Sequence, residues 1–193
     1  MGVRSAWDNG AVADDRQHPS ADLSFRLAWT DDAPAIADIQ VGAWQASYAG
    51  PAEALPSRDQ VADAWRRSLH APGDARNRVL VALDRSTVRG FVVCQPAADP
   101  DCDPLIDAEL SEIAVHPDAR RQGHGSRLLQ AAVDTGHADR FTRAVCWVAA
   151  DDDELRRFLT GAGWGPDGAH RTLDLDGSGA VLVKQVRLHT ALV

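Results

Sequence analysis

The stretch Leu110-Ser111-Glu112-Ile113-Ala114-Val115-His116-Pro117-Asp118-Ala119-Arg120-Arg121-Gln122-Gly123-His124-Gly125-Ser126-Arg127-Leu128-Leu129 joins two apolar patterns of different period through a loop with two glycines. Ile106 to Val115 reads as a strand, closed at Pro117 because proline has no N–H to give a ladder. From Gly125 to His137, Leu128, Leu129, Ala132 and Val133 recur at helical spacing, and the pattern ends near Gly136. A strand-to-helix junction of this kind leaves the first-turn N–H groups unpaired and turns the positive end of the helix dipole toward the loop. The glycines let a ligand come close to the backbone. Residues 116–127 carry Arg120, Arg121 and Arg127 against Asp118, a local balance of +2 in a chain of formal net charge −8. The junction therefore predicts an anion site, against the plainer reading of a tight turn with solvated arginines. A P-loop would need a G-x-x-x-x-G-K-[ST] run, which is absent, and a dinucleotide fingerprint would need a third glycine where Leu128 stands.

Working outward, Leu23 to Trp29 reads as a strand. Ala33 to Ala46 reads as an amphipathic helix with Ile36, Ile39, Ala43 and Trp44 on its stripe. Val61, Trp65 and Leu69 mark a second helix that stops at Ala71-Pro72-Gly73. Two β-branched runs, 79–83 and 88–93, flank a short polar connection and read as a hairpin. After the junction come a strand over 144–149, a helix around Leu155 to Ala162, and strands around 171–175 and 181–188. The order βααβββαβαββ predicts an α/β fold, α+β under another convention, with a mixed, mostly antiparallel sheet covered by helices. Residues 1–22 lack apolar periodicity and read as a flexible tail, leaving one domain over 23–193.

Composition narrows the function. The chain has 193 residues, 45% apolar and 25% charged, enough for an independent core. Twenty basic against 28 acidic side chains disfavour nucleic acid and anionic membranes as partners. No apolar run approaches a bilayer span and the start has no signal-like core, so the cytoplasm is the expected location. Cys94, Cys102 and Cys146 show no C-x-x-C spacing, and Cys146, between Val145 and Trp147, reads as a core thiol. The seven histidines form no metal-type pair. Asp99-Pro100-Asp101-Cys102-Asp103 has Pro104 and Leu110 where a calcium loop needs glycine and glutamate, so no metal is expected. Residues 99–112 hold six acidic and no basic side chains, a patch expected either to attract an amine or to form a solvated hairpin loop.

Arg120, Gly123 and Gly125 spell R-x-x-G-x-G between an apolar strand and Leu128-Leu129, and this resembles the acetyl-CoA motif of GNAT acetyltransferases. The resemblance runs over about residues 24–190. It takes in Ala43-Trp44, Tyr48-Ala49-Gly50, the hairpin, the span from Asp152 to Gly163-Trp164, Gly165-Pro166-Asp167-Gly168 and Val186-Arg187-Leu188. It implies that backbone amides across Arg120, Arg121, Gln122, Gly123, His124, Gly125 and Ser126 hold the pyrophosphate of acetyl-CoA. Ile113, Ala114 and Val115 would meet the pantetheine, Asp152 and Phe158 would contact the cofactor, and Trp44 and Tyr48 would contact the acceptor. The cofactor would lie where this strand and the next one splay apart. A homodimer is compatible with the resemblance.

Acetyl transfer to an amine needs a base for the ammonium proton and an acid for the leaving thiolate. Glu109 and Glu112 lie on the strand before the motif and are equal candidates for the base. Strict alternation places them on opposite faces unless a bulge intervenes. The family's tyrosine acid falls at Leu159 and its asparagine at Asp152, so either the thiolate leaves unassisted or Ser111, His116 or water protonates it. The expected activity is N-acetylation of a primary amine, a small cationic molecule first. The alternatives are acetylation of a protein N-terminus or lysine, a non-catalytic acyl-CoA-binding domain, and an interaction domain that has lost the cofactor.

Overall fold

The computed structural model describes residues 23–47, 55–174, 179 and 182–192. The tail at 1–22 and Tyr48 lie outside the described residues. Seven strands form one sheet in the order β1-β2-β3-β4-β5-β7-β6. They are β1 (Leu23–Leu27), β2 (Arg78–Asp84), β3 (Thr87–Pro96), β4 (Asp107–Val115), β5 (Arg143–Ala149), β6 (Gly165–Asp174) and β7 (Leu182–Ala191). Only β4 and β5 pair in parallel, so the sheet is mostly antiparallel as the order of elements predicts.

Helices cover both faces. Helix α1 (Ala33–Ser47) and helix α2 (Arg58–His70) lie on one side, where Ile36 and Ile39 meet Val81 and Phe91. Ser57 and Gln60 exchange backbone and side-chain hydrogen bonds in a capping box, which fixes where α2 starts. On the other side α3 (His124–Ala138) and α4 (Asp153–Gly161) bury Leu128, Leu129, Ala132 and Leu159 against Val92, Leu110, Cys146 and Leu188. Cys146 is core, as its flanks suggest, and burial pushes its thiol up to about 12. No described helix is long and apolar enough to cross a membrane.

The sequence places the last hairpin less well. Strand β6 starts at Gly165, six residues before the expected Arg171, because Gly165-Pro166-Asp167-Gly168 breaks the period-2 pattern yet remains in the strand. Pairing jumps from Pro166↔Leu188 to His170↔Val186, so residues 167–169 bulge out, with Gly168 at φ +90. Pro166 is tolerated because β6 is an edge strand.

Candidate active site

Strands β4 and β5 pair only from Asp107↔Arg143 to Glu109↔Val145, and β5 then stays with β7. Beyond Glu109, β4 therefore has β3 on one side and no strand on the other. The strands splay there, as the resemblance implies. At the end of β4 the chain makes a single 3-10 turn (Pro117–Ala119), passes Arg121 at φ 60 and Gly123 at φ 87, and enters α3. A left-handed Gly123 reverses the chain so that the first amides of α3 face the splay.

A cavity of about 330 Å³ opens at this point. Strand β4 lines it with Ile113, Ala114 and Val115, and the turn lines it with Arg120, Arg121, Gly123, Gly125 and Ser126. Ala43 of α1 and Asp152, Glu154, Leu155 and Phe158 at α4 complete it. A Cβ at Gly125 would meet only Phe158 at 3.5 Å and Val115 at 3.8 Å, ordinary contacts. The fold itself does not require glycine there; what the glycine leaves is space in front of a helix N-terminus flanked by two arginines. That is the fit for a phosphate-bearing ligand. Asp152 caps α4, accepting from the Leu155 N–H at 2.9 Å, and Arg120 reaches Glu154 at 3.4 Å across the mouth.

Two of the residues taken for cofactor contacts turn their side chains elsewhere. Gln122 donates to the Asp118 carbonyl at 2.9 Å and tightens the turn. His124 is 1% exposed, and both its ring nitrogens lack a hydrogen-bond partner among the described residues. Burial and the nearby Arg89 and Arg127 hold its pKa below the ordinary histidine value. Both residues can offer the cavity only their backbone.

Glu109 and Glu112 share a face of the sheet. Val93 pairs with Glu112 and Cys94 with Leu110, so Ser111 is an extra residue that bulges β4 and resets its alternation. Leu110 and Ala108 enter the core under α3, whereas Glu112 meets Gln40 of α1 and Ala114 packs beside Ile36 and Phe91. Glu112 lies on the lining of a second cavity, of about 370 Å³, between α2 and the sheet. Its carboxylate accepts from Gln40 Nε2 at 2.5 Å, and Gln40 Oε1 accepts from the Trp65 indole at 2.7 Å. Burial pushes the Glu112 carboxyl up to about 7, with the Gln40 bond opposing the rise.

Glu109 sits differently. Burial and the neighbouring Asp99 raise its pKa, while Arg171, the Ala98 amide and Arg187 pull it back. Above it, the connection between β3 and β4 is largely exposed, but several of its acidic side chains are paired with arginines. The Arg187 guanidinium, 4% exposed, binds Asp101 at 2.7 Å, Asp167 at 2.8 Å and Asp99 at 3.2 Å. Trp147 donates to Asp99 at 2.7 Å, and Arg143 grips Asp107 through two bonds of 2.9 Å. The side-chain ligand atoms of Asp99, Asp101 and Cys102 lie within 4.8 Å of one another, and Arg187 already bonds all three residues.

Trp44 packs against the Ala37–Val61–Ala62 cluster between α1 and α2 and lines neither cavity. Trp65, one helix later on a similar stripe, is the tryptophan beside Glu112. Leu159, at the family's tyrosine position, is fully buried in the core. Sequence reasoning missed Gln40 and Trp65; a polar Gln40 on the inner stripe of α1 is the one signal that could have pointed there.

The model of the Acetyltransferase (GNAT) family matches residues 34–164, and the chain belongs to that family. It is 36% identical over 100 residues to the mycothiol acetyltransferase of Mycolicibacterium vanbaalenii, covering 52% of this chain and 30% of that one. A match of 33% over 110 residues to the mycothiol acetyltransferase of Rhodococcus erythropolis covers 57% and 33%. The chain thus spans about a third of the length of these relatives. Among solved structures, the fold is shared with yncA of Salmonella typhimurium, determined with its cofactor acetyl-CoA, at TM-score 0.67 and 16% identity over 89% of this chain and 95% of that one. It is also shared with the ribosomal-protein-alanine N-acetyltransferase of Brucella melitensis, at TM-score 0.68 and 18% identity over 88% and 99%.

Proposed function

We propose that the chain is an acetyl-CoA-dependent N-acetyltransferase acting on a primary amine of a small molecule, with Glu112 as general base. The observation that carries this reading is the position of Glu112. It is a half-buried carboxyl whose pKa burial raises to about 7, one residue before the Ile113–Val115 edge that lines the cavity at the α3 N-terminus. The amides of residues 121–126 and the Arg120 and Arg121 guanidinium groups would hold the pyrophosphate, and the free edge of β4 would hold the pantetheine. Acetyl-CoA supplies the activated acetyl group as a thioester. Glu112 takes the proton that the attacking amine must lose, the N–C bond forms as the C–S bond breaks, and the sulfur leaves as thiolate to become the free thiol. A thiol of pKa about 8.5 leaves without a strong acid. Of the two donors named from sequence, Ser111 lies on the Glu112 cavity, while His116 accepts the Asp118 N–H at Nδ1 at 3.3 Å and so keeps its ring proton on Nε2.

The names of the relatives support a small-molecule acceptor. Leu159 supports a second reading, a domain that binds acetyl-CoA without turnover. One pair of measurements separates them: the melting temperature with and without acetyl-CoA, and thiol release with a panel of amines for wild type and Glu112→Gln. Stabilisation with amine-dependent release that Glu112→Gln loses supports the enzyme. Stabilisation without release supports the binding domain, and no stabilisation removes both.

A further inference from the structure

The cavity that holds Glu112 lies between α2 and the sheet. Its apolar walls are Leu27, Trp65, Leu69, Val79 and Val93, drawn from β1, α2, β2 and β3, and neutral polar groups of Ser68, Asn77, Gln95 and Ser111 share the lining. Among the described residues on that lining, Glu112 is the one carboxylate. The lining also carries a cation, Arg78, whose guanidinium is engaged by Asp139 through two bonds of 2.9 Å. The acidic side chains that would draw a polycation toward β4 are held by Arg187 and Arg143, away from this cavity. A volume of about 370 Å³ stands at the small end of cavities that enclose a ligand.

From these features we infer that the acceptor is a primary amine with one apolar group, about the size of an aromatic ring or a branched alkyl chain, and no second positive charge. The inference rests on the acetyltransferase reading and narrows it. The reacting amine enters as the single cation, finds Glu112 as its single counter-charge, and is deprotonated there. Its apolar group lies between Trp65 and Leu69 on one side and Val79 and Val93 on the other. A second ammonium group would lose its hydration without meeting a second carboxylate on the lining.

The test compares thiol release with 2-phenylethylamine, 3-methylbutylamine, ethanolamine, spermidine and an alanine-started peptide, at fixed acetyl-CoA. The expected result is kcat/KM about 10- to 100-fold higher for the two apolar amines than for ethanolamine, with spermidine lowest. Leu69→Glu places a second carboxylate on the wall and is expected to lower the phenylethylamine value and raise that of spermidine. It should keep the acetyl-CoA-dependent rise in melting temperature, which shows that it folds. Preference for spermidine, ethanolamine or the peptide in the wild type would overturn the inference and leave the acetyltransferase standing. Calorimetric binding of N,N-dimethyl-2-phenylethylamine, which has no N–H to lose from its neutral form, isolates the cavity from turnover. Binding that Leu69→Glu abolishes, with no thiol release from any amine, would sink the acetyltransferase reading while keeping the cavity's selectivity; no binding to the wild type would sink the inference itself.

Discussion

Gln40 and Glu112, 72 residues apart in the chain, meet through the Gln40 Nε2 and a Glu112 carboxylate oxygen at 2.5 Å. The orientation of that amide is not free. The Trp65 indole N–H can only donate, so it claims the Gln40 oxygen at 2.7 Å and leaves the NH₂ group for the carboxylate. A donor facing Glu112 favours its charged form and holds back the rise in pKa that burial causes. Trp65→Phe keeps the ring and the cavity wall but removes the latch, so Gln40 can turn its oxygen toward a protonated Glu112. The acid limb of kcat/KM is expected to move upward from about 7 by about one pH unit. A full pH profile of both proteins checks this, and an unmoved limb would show that the latch does not tune the base.

Glu112 itself ties activity and stability to pH in opposite directions. Activity rises with pH through about 7, as the carboxyl loses the proton that blocks it. Stability runs the other way. The folded carboxyl holds its proton up to about 7 while the unfolded one releases it in the ordinary carboxylate range. The charged group therefore costs nothing below about pH 4 and progressively more up to and past 7. Glu112→Gln removes that cost, and urea titration should find it more stable relative to wild type at pH 8 than at pH 4, by roughly 3 kcal/mol at most. The same variant should lose about 10²- to 10⁴-fold in kcat. Glu109→Gln, under the Arg187-bound loop, should keep most of its rate; equal losses in the two variants would return the base assignment to the tie that the sequence leaves.

Most strands and helices were legible in the sequence because local periodicity writes them, the start of β6 excepted, and the splay between β4 and β5 was legible through the R-x-x-G-x-G resemblance. The condition for both glutamates to share a face was also legible, though not its fulfilment: Ser111 carries no mark of a bulge, which arises from how β3 pairs with β4. The pairing within the acidic run at 99–112 is not legible locally, because Arg187 stands more than 80 residues after Asp99 and Asp101. The different places of Trp44 and Trp65 have a similar reason. Periodicity tells which stripe of a helix turns inward, and both residues obey it. Which one reaches the cavity depends on how α1 and α2 cross the sheet.

Gly125→Asp separates the cradle's ligand from its fold. The added Cβ meets only ordinary contacts, and a carboxylate in the first turn of α3 suits the helix dipole, so the unliganded protein should melt within a degree or two of wild type. The same carboxylate faces the space left for phosphate. At 100 times the wild-type Kd, acetyl-CoA should stabilise the wild type by about 2.7 kcal/mol, or about 5–10 °C, and the variant not at all. A variant that keeps the full shift would move the pyrophosphate away from this turn.

Arg187 holds three segments at once: the connection after β3 through Asp99 and Asp101, the β6 bulge through Asp167, and its own strand β7. Its guanidinium also lies 5.5 Å from the centre of the Trp147 ring, against which Arg171 stacks at 4.2 Å. Arg187→Met matches the length of the side chain but takes the guanidinium from Asp99 and Asp167, each 14% exposed, although Asp99 keeps the Trp147 indole at 2.7 Å and Arg171 at 3.7 Å. Asp101 is 63% exposed and adds little, because water replaces its partner. Two carboxylates losing a buried partner predict a loss of about 3 kcal/mol. Arg187→Lys should recover only part of it, since an ammonium cannot fork to three acids. Adding Asp99→Asn and Asp167→Asn to Arg187→Met should recover more, because the triple variant buries no unpaired charge. Denaturant unfolding of the four proteins reads all of this. If the loss with Arg187→Met is under 1 kcal/mol, or the asparagines deepen it, the network is a hydrated surface rather than the clamp that closes the acidic connection over Glu109.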